Sequence, residues 1–137
     1  MRKEEIRIST LAPAVSHYTD AARFGDLLFI SGMTACDAQG KVLDKGNVVE
    51  QTRDVFEAMK KVLKEVGADF SDILKVTVYL RNIEDRQKIN PVRQEYFGSH
   101  RPASTLVEVN KLIHEDLLVE IDAVAGIPSS SPHSFCV

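Results

Sequence analysis

Ala21-Ala22-Arg23-Phe24-Gly25-Asp26-Leu27-Leu28-Phe29-Ile30-Ser31 reads as two strands joined at a Gly-Asp turn. The second arm is continuously apolar, the pattern of a strand covered on both faces. A helix follows. Asn47 stands where an N-cap belongs, and Glu50 falls where a capping box places its acid. Val48, Thr52, Val55, Phe56, Met59, Val62, Leu63 and Val66 recur at helical spacing, a stripe for packing against a core. Lys60, Lys61 and Lys64 lie outward near the C-terminal end, and Gly67 closes the helix. Ile73 to Leu80 is β-branched and strand-like, so the helix makes a crossover. A second helix is expected from Glu84 to Phe97, with Ile89, Val92, Tyr96 and Phe97 inward; Pro91 inside it predicts a kink or a late start. Thr105 to Val109 and Leu118 to Ala125 supply two more strands. Upstream, Arg2 to Ser9 alternates charged residues with Ile6 and Ile8, as an edge strand does. The order β, β-hairpin, α, β, α, β, β predicts an α+β fold: one mixed sheet with both helices on one face. Thr77, Tyr79, Thr105, Val107 and Val109 would line the second face, which is too apolar to leave in water and points to self-association.

With 137 residues the chain has room for one core but not two. A single domain over residues 1–128 is expected, followed by a loose tail over 129–137 that holds His133 and Cys136 in serine- and proline-rich sequence. Seventeen Lys and Arg against twenty Asp and Glu leave a net charge of −3, which disfavours nucleic acid as a partner. No apolar run approaches a membrane span. Cys36 and Cys136 are far apart with no metal-ligand spacing, so neither a disulfide framework nor a metal site is expected. The charged start lacks the apolar segment of a signal peptide, and the expected location is cytoplasmic.

There is no P-loop, GxGxxG, HExxH or GxSxG. What remains are isolated polar residues: Tyr18 before the hairpin, Ser31-Gly32 after the apolar strand, Asn90 in the second helix, and Arg101 through Thr105 opening a strand. Glu120 lies inside the strand Leu118-Val119-Glu120-Ile121-Asp122-Ala123. Alternation puts Glu120 and Asp122 on one face and Val119, Ile121 and Ala123 on the other.

Those same residues carry a resemblance. Gly25-Asp26-Leu27-Leu28-Phe29-Ile30-Ser31-Gly32 resembles the "G-[DN]-x-[LIV]-[FY]-x-S-G" segment of the Rid family (reactive-intermediate deaminases, also called YjgF, with the older label L-PSP endoribonuclease). Gln51, Lys75 to Leu80, Ile89 to Phe97, Arg101 to Val109 and Val119 to Ala125 continue the match in family order. The resemblance implies a chorismate-mutase-like fold and a homotrimer whose sheets form an inner barrel, with small-molecule clefts between subunits. It implies hydrolytic deamination of enamines or imines to a keto acid and ammonia, with no metal or organic cofactor. By this resemblance Glu120 holds the attacking water, and Tyr18, Ser31, Gly32 and Asn90 line the cleft.

One departure falls at the centre of that chemistry. The archetype reads Pro-Ala-Arg-Ser and binds the substrate carboxylate through its Arg, whereas this chain reads Pro102-Ala103-Ser104-Thr105. Losing such a charge-assisted pair removes about 1.5–3 kcal/mol of binding. Ser104 and Thr105 together are the nominal replacement, with Arg101 above the strand as a further substrate-binding candidate. Arg93, one helical turn from Asn90, and His17, beside Tyr18, also lie near; the simpler reading of each is a solvated surface residue. Met33 follows Ser31-Gly32 where the family often has Gln, and Ser16-His17 replaces Gly-Pro. The preferred reading is a cofactor-independent deaminase-type hydrolase acting on a substrate not held by the usual Arg. The alternative is a non-catalytic trimer that binds a metabolite, and RNA cleavage ranks third.

Overall fold

The computed structural model describes residues 2–128; the tail 129–137, with His133 and Cys136, lies outside them. Six strands form one mixed sheet in the order β1-β2-β3-β6-β4-β5. They are β1 (Lys3–Ile6), β2 (Ala21–Phe24), β3 (Leu27–Thr34), β4 (Ile73–Leu80), β5 (Ala103–Glu108) and β6 (Val119–Gly126). Only β4 and β5 pair in parallel; every other neighbouring pair is antiparallel. Helices α1 (Val48–Glu65) and α2 (Arg86–Phe97) contact each other, and α1 lies on β3 and β6. The expected α+β architecture is the one observed.

The Asn47 side chain caps α1 by accepting from the Glu50 backbone N–H at 3.0 Å. The expected capping box is only half formed, because the Glu50 carboxylate turns outward to Arg53 and the Asn47 N–H donates to Asp44 O. The buried stripe of α1 is the expected one, with Gln51 added and Val66 moved to the C-cap. Gln51 is fully buried: Nε2 donates to Leu43 O and Asp116 O, and Oε1 accepts from the Leu118 N–H. It thereby ties two loops to the helix. The second helix starts at Arg86, after a 3-10 turn over Ile83–Asp85, so Pro91 sits within its second turn. Phe56, Phe70, Tyr96 and Phe97 stack edge-on and tilted between the helices, with centroids 5.1–5.7 Å apart.

Leu28, Ile30, Val76, Val78, Leu80, Val119, Ile121 and Ala123 are buried beneath the helix layer. The other face is open. Leu27 and Phe29 are 42% and 47% exposed there, so the apolar run of β3 is covered on one face only within a single copy. Tyr79, Thr77 and Val107 share that face, as alternation predicted. Among the described residues no helix is long and apolar enough to cross a membrane.

Candidate functional site

β3 does not stop at Ser31. It continues to Thr34, with its register against β6 broken between Ile30 and Met33. Such a bulge inserts residues that lack a cross-strand partner and re-aims the chain locally. Ser31 and Gly32 are those residues. The Ser31 hydroxyl donates to Thr19 O at 2.6 Å and its N–H donates to Asp20 O, so both of its protons hold the preceding loop. With both donors so engaged, Ser31 has its hydroxyl lone pairs left to accept a hydrogen bond. Gly32 takes up no left-handed conformation; its need for glycine is a close approach. A Cβ at this position would lie 2.8 Å from Glu120 Cδ and 3.1 Å from Cγ.

Glu120 stands in the row Thr34–Glu120–Tyr79 across the sheet and faces the open side. It is half-buried, and its carboxylate makes no hydrogen bond or ion pair among the described residues. Loss of water raises its pKa, and the Asp122 charge on the same face raises it further. Asp122 itself accepts from the Tyr79 phenol at 3.0 Å. Gly32, Ser31 and the half-exposed Tyr18 come together around a cleft of about 90 Å³, with Leu11, Thr34 and Cys36 as neighbours. His17 is exposed and lines a depression with Lys3, Glu5 and Tyr18.

The remaining expected residues form a second cluster. Asn90, Arg93, His100 and Arg101 line a cleft of about 330 Å³ between the end of α2 and the start of β5. Arg93 Nη2 donates to Ser104 Oγ at 2.9 Å. Ser104 pairs in register with the buried Val76 and so faces the helices; Thr105 pairs with Thr77 and faces the open side, where Lys75 Nζ donates to its hydroxyl at 3.1 Å. Successive residues of a strand point to opposite faces. The expected two-residue fork from Ser104 and Thr105 is thus corrected: the pair cannot grip one group together. Sequence reasoning also left Arg93 on the surface, whereas its guanidinium is half-buried, and burial lowers its pKa. The available signal was its position three residues after Asn90 on one helix face.

Among the described residues no group of three or more His, Cys, Asp or Glu could hold a metal ion. One cleft lies beside Gly32 and another beside the half-buried Arg93 guanidinium, while the half-buried Glu120 carboxylate faces the open side of the sheet. The chain belongs to the Rid (YjgF) family. The family model described as Endoribonuclease L-PSP matches residues 9–127. A RutC family protein of Pyrococcus abyssi is 38% identical over 125 residues, covering 91% of this chain and 98% of the relative. The 3-aminoacrylate deaminase RutC of Acinetobacter baylyi is 33% identical over 127 residues, covering 93% of this chain and all of the relative. The crystal structure of YyfA from Yersinia pestis, described as a Rid-family protein of unknown function, superposes with a TM-score of 0.86 at 29% identity, covering 92% of this chain and all of that one.

Proposed function

We propose that this chain is a hydrolase that deaminates an enamine or imine, at a site assembled between copies of itself. The observation that carries the reading is Glu120: a half-buried carboxylate with raised pKa and, among the described residues, no hydrogen-bond or ion-pair partner, lying close against Gly32. An unpaired acid in a largely apolar strand is unfavourable unless it serves a reaction or a ligand. A relative that matches 93% of this chain is named a deaminase.

In this chemistry an enamine first tautomerises to the imine. Glu120 accepts a proton from water as the water oxygen adds to the carbon of the protonated imine, giving a neutral carbinolamine. Glu120 returns that proton to the nitrogen and, as the C–N bond breaks, takes the hydroxyl proton, so that a carbonyl product and ammonia leave. A raised pKa suits a group that must both take and return a proton. Tyr18 and the lone pairs of Ser31 would border the same space.

Glu120 and the Asn90–Arg93–Ser104 cluster open on opposite faces of the sheet. A small substrate touching both therefore needs two copies, and the exposed Leu27, Phe29 and Val107 supply an apolar face for their association. The carboxylates of Glu120 and Asp122 on that face favour a small-molecule site over an RNA groove.

Ammonia release from enamines and imines generated in situ, acidic and neutral, tests the reading. The native protein is expected to turn over at least one, and Glu120→Gln to lose on the order of 10²–10⁴-fold in rate. Equal rates for the two proteins would refute the role of Glu120. No release by native protein from any member of the panel would overturn the hydrolase and leave a metabolite-binding protein.

A further inference from the structure

The partners of an arginine show what it does. Arg7, at the surface, donates to Asp20 and to the carbonyls of Ile8, Leu11 and Ala12. Arg53 is held by Glu50 and Glu95. Arg23 and Arg81, half-buried as well, each donate to one backbone carbonyl and also lack a carboxylate; Arg93 differs in that its one partner among the described residues is the neutral Ser104 hydroxyl and in that it lines a cleft. A guanidinium has five N–H donors in a fixed plane, so most of them are left for something else.

The space they face is the 330 Å³ cleft that Arg93 shares with Asn90, Gln94, His100 and Arg101, with Phe97 as an apolar wall. None of the residues lining it is an acid. Arg93 has thus been withdrawn partly from water without a counter-charge, beside amide donors and a second cation. That combination is unfavourable for the empty protein and is relieved by a bound anion. Ser104 meanwhile stops short of the cleft, and its hydrogen bond to Nη2 fixes the plane of the guanidinium. A planar two-oxygen group is the anion that a guanidinium fork matches best.

We infer that Arg93, oriented by Ser104, is the carboxylate-binding residue of this protein, and that its substrate is therefore a small carboxylic acid rather than a neutral imine. The charge that the strand lacks at position 104 is delivered from the neighbouring helix α2. This deepens the proposed deaminase reading and rests on it for the identity of the bound molecule as substrate.

Binding and turnover are measured separately, so that the two ideas can fail separately. Pyruvate, the simplest keto-acid product, is titrated into native protein, Arg93→Gln, Arg93→Lys and Arg101→Gln, with binding followed by NMR. Arg93→Gln is expected to weaken pyruvate binding ten- to a hundredfold and to raise KM for an acidic enamine by the same factor, with kcat changed less than threefold. Arg93→Lys keeps charge but loses the fork and should fall between. In the double variant Arg93→Gln/Ser104→Arg, binding should recover at least tenfold relative to Arg93→Gln; this variant also shows that the site still folds. Pyruvate binding that is absent from native protein, or unchanged in Arg93→Gln, overturns the assignment. So does loss confined to Arg101→Gln, which would move the anchor to the loop. Arg93-dependent binding without turnover would uphold the anchor and sink the hydrolase; turnover of acidic substrate indifferent to Arg93 would do the reverse.

Discussion

Replacing Gly32 by alanine tests whether the resting position of Glu120 matters to catalysis. The alanine Cβ would sit 2.8 Å from Glu120 Cδ and 3.1 Å from Cγ, where ordinary carbon contacts are about 3.5–4 Å. The carboxylate must retreat by roughly an ångström, a displacement that at a reacting centre typically costs on the order of a hundredfold in rate. Stability should hardly change. Residue 32 is exposed and has no left-handed φ, the clash is with the end of a flexible side chain, and losing a glycine stiffens the unfolded chain by about 0.4–1 kcal/mol in favour of folding. The expected outcome is an approximately hundredfold fall in kcat/KM for keto-acid formation, with a thermal midpoint within a few degrees of native. Native-like kcat/KM in Gly32→Ala would refute the reasoning, because the carboxylate could then act from a displaced position.

Glu120→Gln should also reveal the charge through stability. Because the folded-state pKa of Glu120 is raised, its stabilising contribution is complete below the unfolded value of about 4.3 and is lost as pH rises through the folded pKa. Denaturant unfolding should therefore find Glu120→Gln more stable than native at pH 8, with the difference vanishing near pH 4; a less stable variant at pH 8 would contradict it. Gln51→Leu should lose about 2–4 kcal/mol in urea unfolding, because Asp116 O and the Leu118 N–H forfeit their buried partner. A loss below about 1 kcal/mol would mean water fills the gap.

The fold was legible because local signals agreed: the Gly25-Asp26 turn, the Asn47 cap and the stripe from Val48 to Leu63 each demand the element that forms. The helix boundary near Arg86 was not, since Pro91 is compatible with either a kink or an early turn and only the 3-10 turn at Ile83 decides it. At the site, alternation correctly set Glu120 and Asp122 on one face. The same alternation, applied to Ser104 and Thr105, would have ruled out a shared fork. Arg93 was harder. Its burial depends on where the end of α2 meets β5, a packing distance that no spacing rule contains. Gln51 was met as a matching family residue; its role as a clamp on two loops appears only when residues 43 and 116–118 are brought against α1.

The division of the polar residues between two faces makes a stricter demand on assembly than the apolar open face does. Burial of Leu27 and Phe29 could be met by many arrangements of copies, but a site needing both Glu120 and Arg93 is met only when one copy's open face approaches another's α2–β5 edge. Two individually crippled proteins then become complementary. Glu120→Gln retains Arg93, and Arg93→Gln retains Glu120, so mixed assemblies contain some sites in which both native residues meet. With random exchange each residue is native half the time, and about a quarter of sites should regain native activity. The assay is ammonia release from an acidic enamine held below the native KM, after co-refolding the two variants in equal amounts with differently tagged chains to verify exchange. Recovery near a quarter requires a site shared between copies. Verified exchange with no recovery would mean that both residues act within one copy, or that only one acts at all, and the division between faces would then be a consequence of folding rather than a plan for the site.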